Sequence, residues 1–331
     1  MLQFIQKGLG GQPKILLSWR RSSVFQRSSK SAALCVPPDP MATWKHYFIP
    51  NTLQSAIEVL KNAPGTTRLI AGGTDLLLEI QQGHVSPVDN LVDINRIPEM
   101  QRLELDQDEL VIGAAVPLKQ IATSELVRVH AAALSDASNL IGGPQVRNTA
   151  TLGGNVSHAL PAADGTIAMM ALQPTVILVN SEGTRRAGMQ SIFKGPGQNN
   201  LAPDEIVVEF RLPIKKEGQA SGFSRIMRPQ GVALPILNLA VWLERVGEKI
   251  TQARIAVGPA GPVPILCSRA AEVLTAGEIN PGTLEIVAAT ALEEVHYRTS
   301  PRRATAEYRK HITAGLLSEV FEKTWQRSFE N

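Results

Sequence analysis

The sequence predicts an α+β protein, and three observations carry that expectation. Residues 50–95 alternate helix-period and strand-like stretches. The last third runs from apolar or alternating strands into helices, and a polar, glycine-bearing stretch at residues 215–222 parts the two regions. With 331 residues, 44% hydrophobic and 19% charged, the chain can form two or three domains with cores of their own.

From Thr52 onward, Leu53, Ala56, Ile57 and Leu60 share one helical face, and Pro64-Gly65 ends that helix. Arg68-Leu69-Ile70-Ala71 reads as a short buried strand running into Gly72-Gly73. Residues 76–80 read as a helix with Thr74 or Asp75 as N-cap, and residues 90–94 as a strand. Residues 42–95 therefore form a small β-α-β-(α)-β unit, its first strand anchored by Trp44 and Tyr47. In the second unit, residues 110–112 are a strand, 118–122 a short helix and 127–141 a longer alanine-rich one, broken by Gly142-Gly143-Pro144. A helix near 167–172 and strands at 175–179, 184–187 and 205–212 close that unit around a glycine-rich loop, Lys194-Gly195-Pro196-Gly197. After the linker come antiparallel strands at 223–227, 237–244 and 249–257, with Gly247 as a hairpin turn. Helices at 269–276, 284–293 and 306–325 complete the chain.

Composition excludes several classes of function. No run approaches the roughly 18 uninterrupted apolar residues of a membrane span. Two cysteines, Cys35 and Cys267, can neither build a disulfide framework nor ligate an iron–sulfur cluster. They read as thiols of a cytoplasmic protein, with Cys267 packing in a core. Metal-based one-electron chemistry would then belong to another polypeptide. The net charge of +3 is uneven, because residues 1–40 hold six basic side chains and one acid, leaving the rest at −2. The body is no polyanion binder, and no basic stripe argues for nucleic acid. Residues 1–40 superficially suit an organellar transit peptide. They end in Pro37-Pro38-Asp39-Pro40 before Met41, and are expected to be a disordered or mis-called extension that carries no fold.

Two loops carry the chemistry. In Ala71-Gly72-Gly73-Thr74-Asp75, glycines at a strand end permit positive φ and close approach of backbone to ligand, while successive N–H groups converge on an anion ahead of a helix. Thr151-Leu152-Gly153-Gly154-Asn155 repeats the design with a hydroxyl before and an amide after. Either loop alone is explained as an ordinary tight turn; two with matching polar flanks suit a diphosphate. Neither is G-x-G-x-x-G or G-x-x-x-x-G-K-[ST], so Rossmann and P-loop binding lack their key residues. There is no metal-spaced His or Cys pair and no G-x-S-x-G. His158 reads as a loop-packing residue, Arg147 as an ion-pair partner within its loop or a phosphate contact, and Arg302-Arg303 as a solvated helix start or a subunit contact.

The segments Arg68-Leu-Ile-Ala-Gly-Gly-Thr-Asp75, Gly143-Pro-Gln-Val-Arg-Asn-Thr-Ala-Thr-Leu-Gly-Gly-Asn155 and Pro161-Ala-Ala-Asp164 occur in order with Gly195-Pro-Gly197, Pro203-Asp-Glu-Ile206, Gly258-Pro-Ala-Gly-Pro-Val-Pro264 and Ala306-Glu-Tyr-Arg309. Across residues 44–325 the chain resembles the FAD-binding (medium) subunit of molybdenum hydroxylases, the xanthine dehydrogenase and carbon monoxide dehydrogenase family. The resemblance implies an FAD-binding domain of the p-cresol methylhydroxylase type over residues 41–217, with α+β subdomains at about 41–97 and 98–217. A C-terminal α+β domain of antiparallel sheet and helices over 222–328 would follow. It implies noncovalent FAD, with Arg68, Leu69, Ile70, Ala71, Gly72, Gly73, Thr74 and Asp75 at the pyrophosphate and ribose, and Ala150, Thr151, Leu152, Gly153, Gly154 and Asn155 as the second pyrophosphate loop. Asp164 would accept from a ribitol or flavin-side hydroxyl, Leu201 and Ile206 would line the adenine or flavin pocket, and Phe223 would stand near the isoalloxazine.

The sequence departs from that pattern at Ser224, where some relatives have Lys; Arg225 is the nearest replacement cation. The stretch Gly231-Val-Ala-Leu-Pro235 is apolar where relatives commonly carry an acid, and the cysteines of members with an extra cluster are missing. The implied partners are an iron–sulfur small subunit with [2Fe–2S] clusters and a molybdopterin large subunit bearing the molybdenum cofactor, in a dimer of heterotrimers. NAD or another acceptor would take the electrons. The alternative is a self-contained flavin-dependent oxidase or dehydrogenase of the same superfamily.

Overall fold

The computed structural model describes residues 43–228, 234–301 and 303–330. The expectations for residues 1–40, for Cys35, for residues 231–233 and for Arg302 lie outside them.

The first unit runs β1 (Trp44–Phe48), α1 (Leu53–Asn62), β2 (Thr67–Ile70), α2 (Leu76–Gln81) and β3 (Val88–Asp93). Its three strands are parallel in the order β1-β3-β2. Thr52 caps α1 by accepting from the Ser55 N–H, and Gly65 turns the chain at φ +86°. Trp44 and Tyr47 pack against the small core of Ile70, Ile80, Val88 and Leu91, as a strand anchor should.

The second unit holds β4 (Leu103–Asp106), β5 (Glu109–Gly113), α3 (Leu118–Thr123), α4 (Glu125–His130), α5 (Ala132–Leu140), α6 (Pro144–Thr149), α7 (Leu152–Ser157) and α8 (Asp164–Leu172). It continues through β6 (Thr175–Asn180), β7 (Gly183–Gly188), the small hairpin β8 (Phe193–Gly195) and β9 (Gln198–Asn199), and β10 (Ile206–Pro213). The main sheet is β4-β5-β10-β6-β7, antiparallel throughout. Strand β4, with only Leu103 and Leu105 alternating against acids, was too short to be seen in the sequence. The single helix expected at 127–141 is in fact two. Ala131 leaves helical geometry (φ −143°, ψ 51°), and the next helix instead begins with the Ala133 N–H donating to Ser221 Oγ across the molecule. Tertiary contact overrides a local pattern that contains no breaker.

The C-terminal unit is an antiparallel sheet, β11 (Gln219–Met227), β12 (Pro235–Val246), β13 (Lys249–Gly258) and β14 (Ile265–Leu266), followed by α9 (Ser268–Ala276), α10 (Pro281–Glu294) and α11 (Ala306–Arg327). Gly247, at φ +60°, makes the expected hairpin turn. The linker is shorter than residues 215–222, since β11 starts at Gln219. Gly218 (φ +76°) is the turn, whereas Gly222 lies within the strand. A Cβ on Gly222 would meet Thr324 Oγ1 at 2.5 Å, so this glycine serves close packing of α11 on β11. Cys267 is fully buried and its thiol is pushed up to about 12 by burial, in keeping with a packing residue.

One face of the C-terminal sheet packs on its own helices, with Leu239, Val241, Leu316 and Val320 in that core. The other face joins the preceding unit: Phe223, Ala240 and Ala256 belong to the same core as Leu134, Ile167 and Phe210. Two polar clusters cross this seam. Arg327 grips Asp136 of α5 with both terminal nitrogens (2.7 and 3.0 Å), and Lys323 adds a contact at 2.8 Å. Asp164, at the first turn of α8 and 4% exposed, pairs with Arg225 of β11 and accepts from Asn238 Nδ2 of β12 at 2.7 Å. Burial pushes the Asp164 carboxyl up, and the Arg225 charge and the Asn238 hydrogen bond oppose that rise. Removing one member of a buried pair strands the other charge. Asp164→Ala is therefore expected to cost about 3–5 kcal/mol in chemical denaturation; a loss near zero would show that Arg225 finds water instead.

Candidate phosphate-binding loops

The strand β2 delivers the chain into Ala71-Gly72-Gly73-Thr74-Asp75, and Gly73 takes φ +66°. Among the described residues, none of the N–H groups of residues 71–75 donates to a protein acceptor. Ala71 to Thr74 are half-buried and Asp75 is exposed. Five unused donors and the Thr74 hydroxyl, at a strand end and ahead of a helix, are therefore available to an anion.

The loop is held from beneath by residues the sequence reading missed. Asn95 Nδ2 donates to the Ala71 carbonyl (2.9 Å) and to Asp93 Oδ1 (2.8 Å), and Tyr47 Oη donates to Asp93 Oδ2 (2.9 Å). Burial and Asp93 push the Tyr47 hydroxyl up to about 12, so it stays a donor. The available signal was Asp93-Ile94-Asn95 at the end of a strand parallel to β2, where an Asx side chain commonly folds back on the backbone.

The second loop is built differently from expectation. Thr151 is the N-cap of α7, its Oγ1 accepting from the Gly154 N–H at 3.1 Å, so Gly153 and Gly154 lie in a helical first turn. The Gly153 N–H donates to the Ala114 carbonyl (2.9 Å), and the Asn155 N–H to the Thr151 carbonyl (3.0 Å). A Cβ on Gly153 would meet Ala114 Cβ at 2.6 Å. Gly153 is thus a packing glycine, and this loop is not a second open nest. Its accessible part is the exposed Gly154 and the half-buried Asn155. Asn155 Oδ1 accepts from the Thr166 N–H at 3.0 Å, which turns its amide group by way of α8.

The two loops touch through Gly72. A Cβ there would meet the Thr149 carbonyl oxygen at 2.1 Å and Ala150 Cα at 2.7 Å, so only glycine allows the backbones to lie together. His158 adds a latch from the end of α7, with Nε2 2.9 Å from Glu79 Oε1 of α2 and Nδ1 3.5 Å from Asp75 Oδ2. Asp75 occupies the N-cap position of α2 but makes no capping bond. The carboxylates of Asp75 and Glu79 hold His158 up at about 9, against the opposing effect of burial. Among the described residues Arg147 makes no ion pair; it donates Nη1 to the Ile141 and Gly142 carbonyls at 3.0 and 2.7 Å.

The remaining expected site residues divide by exposure. Arg68 is exposed and Leu69 and Leu201 are half-buried, so each has surface to offer. Ile206, Leu152 and Phe223 are at most 1% exposed, and Ile70, Ala150 and Thr151 are also buried. For Ile206 and Phe223 this is a correction: their side chains fill the core and have no free face for an adenine or a ring. Asp164, 4% exposed and facing Arg225 and Asn238, does not stand open for a hydroxyl either. Arg225 is the cation expected one place beyond Ser224, but it is spent on Asp164 and the Leu140 carbonyl.

Unpaired amides at a strand end, in paired α+β units, are the arrangement of a protein class suited to a phosphate-bearing ligand. Residues 41–215 match the FAD binding domain in molybdopterin dehydrogenase, and residues 222–324 the CO dehydrogenase flavoprotein C-terminal domain. The chain is 32% identical to the nicotinate dehydrogenase FAD-subunit of Eubacterium barkeri, over 83% of this chain and 94% of that one. It is 29% identical to the xanthine dehydrogenase FAD-binding subunit of Escherichia coli O157:H7, over 86% and 97%. Among solved structures, quinoline 2-oxidoreductase from Pseudomonas putida 86 aligns with TM-score 0.79 at 26% identity, over 86% of this chain and 97% of that one. Carbon monoxide dehydrogenase from Hydrogenophaga pseudoflava shares the fold, with TM-score 0.80 at 24% identity over 85% and 97%. The chain belongs to the FAD-binding subunits of the molybdenum hydroxylase family of oxidoreductases. No helix among the described residues is long and apolar enough to cross a membrane.

The latch has a pH signature. His158 rises from 6.5 to about 9 on folding, so its contribution is fully present below pH 6.5 and is lost as pH rises through about 9. Because Asp75 is largely exposed, solvent screening reduces the contribution to about 1 kcal/mol. Thermal unfolding should weaken more between about pH 7 and pH 10 in the native chain than in His158→Gln. Parallel pH profiles would remove the latch.

Proposed function

We propose that this chain is the FAD-carrying, electron-transferring subunit of a heteromeric molybdenum hydroxylase. The unpaired amides of residues 71–75, in a loop pressed against Thr149 and Ala150 at the end of α6, carry the reading. FAD supplies two-electron and one-electron redox chemistry when bound, and the protein's task is to bind, orient and tune it. No nucleophile or general base is required of this chain.

In this reading the N–H groups of Ala71, Gly72, Gly73, Thr74 and Asp75 hold the pyrophosphate, with Gly154 and Asn155 closing it from the other side. Arg68, Leu69 and Leu201 contribute the surface around the adenosine half. Gly153, Thr151, Leu152, Ala150, Ile70, Ile206 and Phe223 act beneath the surface by fixing the loops and strands that present those groups. Asp164 holds the start of α8 against the C-terminal sheet and so positions the flavin end. Electrons arrive from the [2Fe–2S] clusters of an iron–sulfur partner subunit, reduced in turn by a molybdenum-cofactor subunit. They leave for NAD or another acceptor. The C-terminal domain and the absence of an evident general base both favour a relay over a self-contained oxidase. The relatives named for nicotinate and xanthine dehydrogenases support the same reading.

The test begins with purified chain reconstituted with FAD and desalted. About one flavin per chain by absorbance is expected, and no retained flavin would sink the assignment. Anaerobic NADH should bleach the flavin if NAD is the acceptor. Oxidation of small organic substrates by the isolated chain would instead point to the self-contained enzyme. Gly73→Val forces a branched side chain into a left-handed conformation, with Ile70 Cδ1 only 2.9 Å from the new Cβ. It should weaken FAD retention by about 10-fold or more; full occupancy would contradict the loop assignment.

A further inference from the structure

A second cleft, of about 650 Å³, lies between the C-terminal sheet and the ends of α4, α8 and β10. It is separate from the phosphate-binding loops. Leu172 and Gln173 line it at the C-terminal end of α8, whereas Asp164 and Asn155 lie at the other end of that nine-residue helix, about 12 Å away.

Its floor is the face of the sheet where Trp242 of β12 and Arg254 of β13 are cross-strand partners. The Arg254 guanidinium stacks on the Trp242 ring, 3.8 Å from the centroid. Among the described residues it makes no hydrogen bond or ion pair, and its Nε is buried without a partner. Burial lowers Arg254 to about 10, which leaves it a cation at neutral pH. The rim adds Lys216 and Lys215; among the described residues the Lys216 ammonium has no partner and the Lys215 ammonium donates only to the neutral Glu330 carbonyl (2.6 Å). Three acids share the cleft: Glu125 pairs with Arg128, Glu330 lies at the rim, and Glu244 accepts from Gln219 at 2.6 Å and attracts Arg254 through space without a hydrogen bond to it. A half-buried arginine pre-oriented by stacking keeps its planar fork free of hydrogen bonds among the described residues, and that fork matches two oxygens of one anion. The volume suits a small organic molecule.

We propose that this cleft is a second binding site, for a small anion that presents a carboxylate or phosphate to Arg254 and Lys216. The site takes no part in holding FAD.

Calorimetric titration of the FAD-loaded full chain, at constant ionic strength, tests it with two probes, inorganic phosphate and succinate. One saturable site per chain is expected, and the tighter probe identifies which oxyanion the site takes. Arg254→Gln should weaken binding by about 10-fold or more, and Lys216→Gln by a smaller factor. Arg254→Lys, which keeps the charge and loses the fork and the stack, should weaken it as well. Flavin content should stay unchanged in all three. Lys45→Gln, whose native partner is Asp89 on the first unit, is the control and should bind as the native chain does. No saturation by either probe up to roughly 10 mM would overturn the proposal. So would binding unaltered in both Lys216→Gln and Arg254→Lys, or reduced equally in Lys45→Gln.

Discussion

The contact on which the rest depends is between two stretches of backbone. Gly72 lies so close to the Thr149 carbonyl that the position of even a β-carbon is already occupied. That closeness makes one surface out of two units that are otherwise separate sheets, one parallel and one antiparallel. It also explains why the amides of residues 71–75 remain unused. A loop pressed against another backbone on one side and held through its Ala71 carbonyl by Asn95 on the other cannot fold back to satisfy its own donors. The unpaired state is imposed by the packing, and the free donors are its product.

The division of labour between the two glycine pairs follows from where each lies. In the first pair, one glycine permits close approach and the other supplies a left-handed turn. In the second, Gly153 is fitted against Ala114 inside a helical turn, and the N–H groups are already consumed by the cap and the neighbouring strand end. Similar letters thus perform different physical tasks. His158 and the Asn95–Asp93–Tyr47 chain then fix the helices and strands around the loops, with charge supplied where the backbone alone would leave freedom.

Much of the fold was legible in periodicity. The parallel three-stranded unit, the Gly247 hairpin and the three late helices all lie where apolar spacing and turn residues place them. What could not be read were features decided at a distance. Ala131 breaks a helix because Ser221, far along the chain, offers a better partner to the next turn. Gly222 looks like a linker residue in the sequence and is a packing residue in the molecule, because its neighbour Thr324 belongs to the last helix. The open amides of the first loop were legible from composition and position. Phe223 and Ile206 were not, since a motif position says which residue type recurs and leaves open whether its side chain faces a ligand or a core.

The Asp164–Arg225–Asn238 cluster has a consequence for how such subunits can be recombined. Asp164 comes from the unit that presents the loops, while Arg225 and Asn238 come from successive strands of the C-terminal sheet. The boundary between the two family domains falls between them, after residue 215 and before residue 222. A chimera cut at that boundary would therefore join domains that are complete in sequence and still exchange half of a buried ion pair. A working exchange would have to carry Asp164, Arg225 and Asn238 together, so the seam has to be transplanted along with the domains it joins.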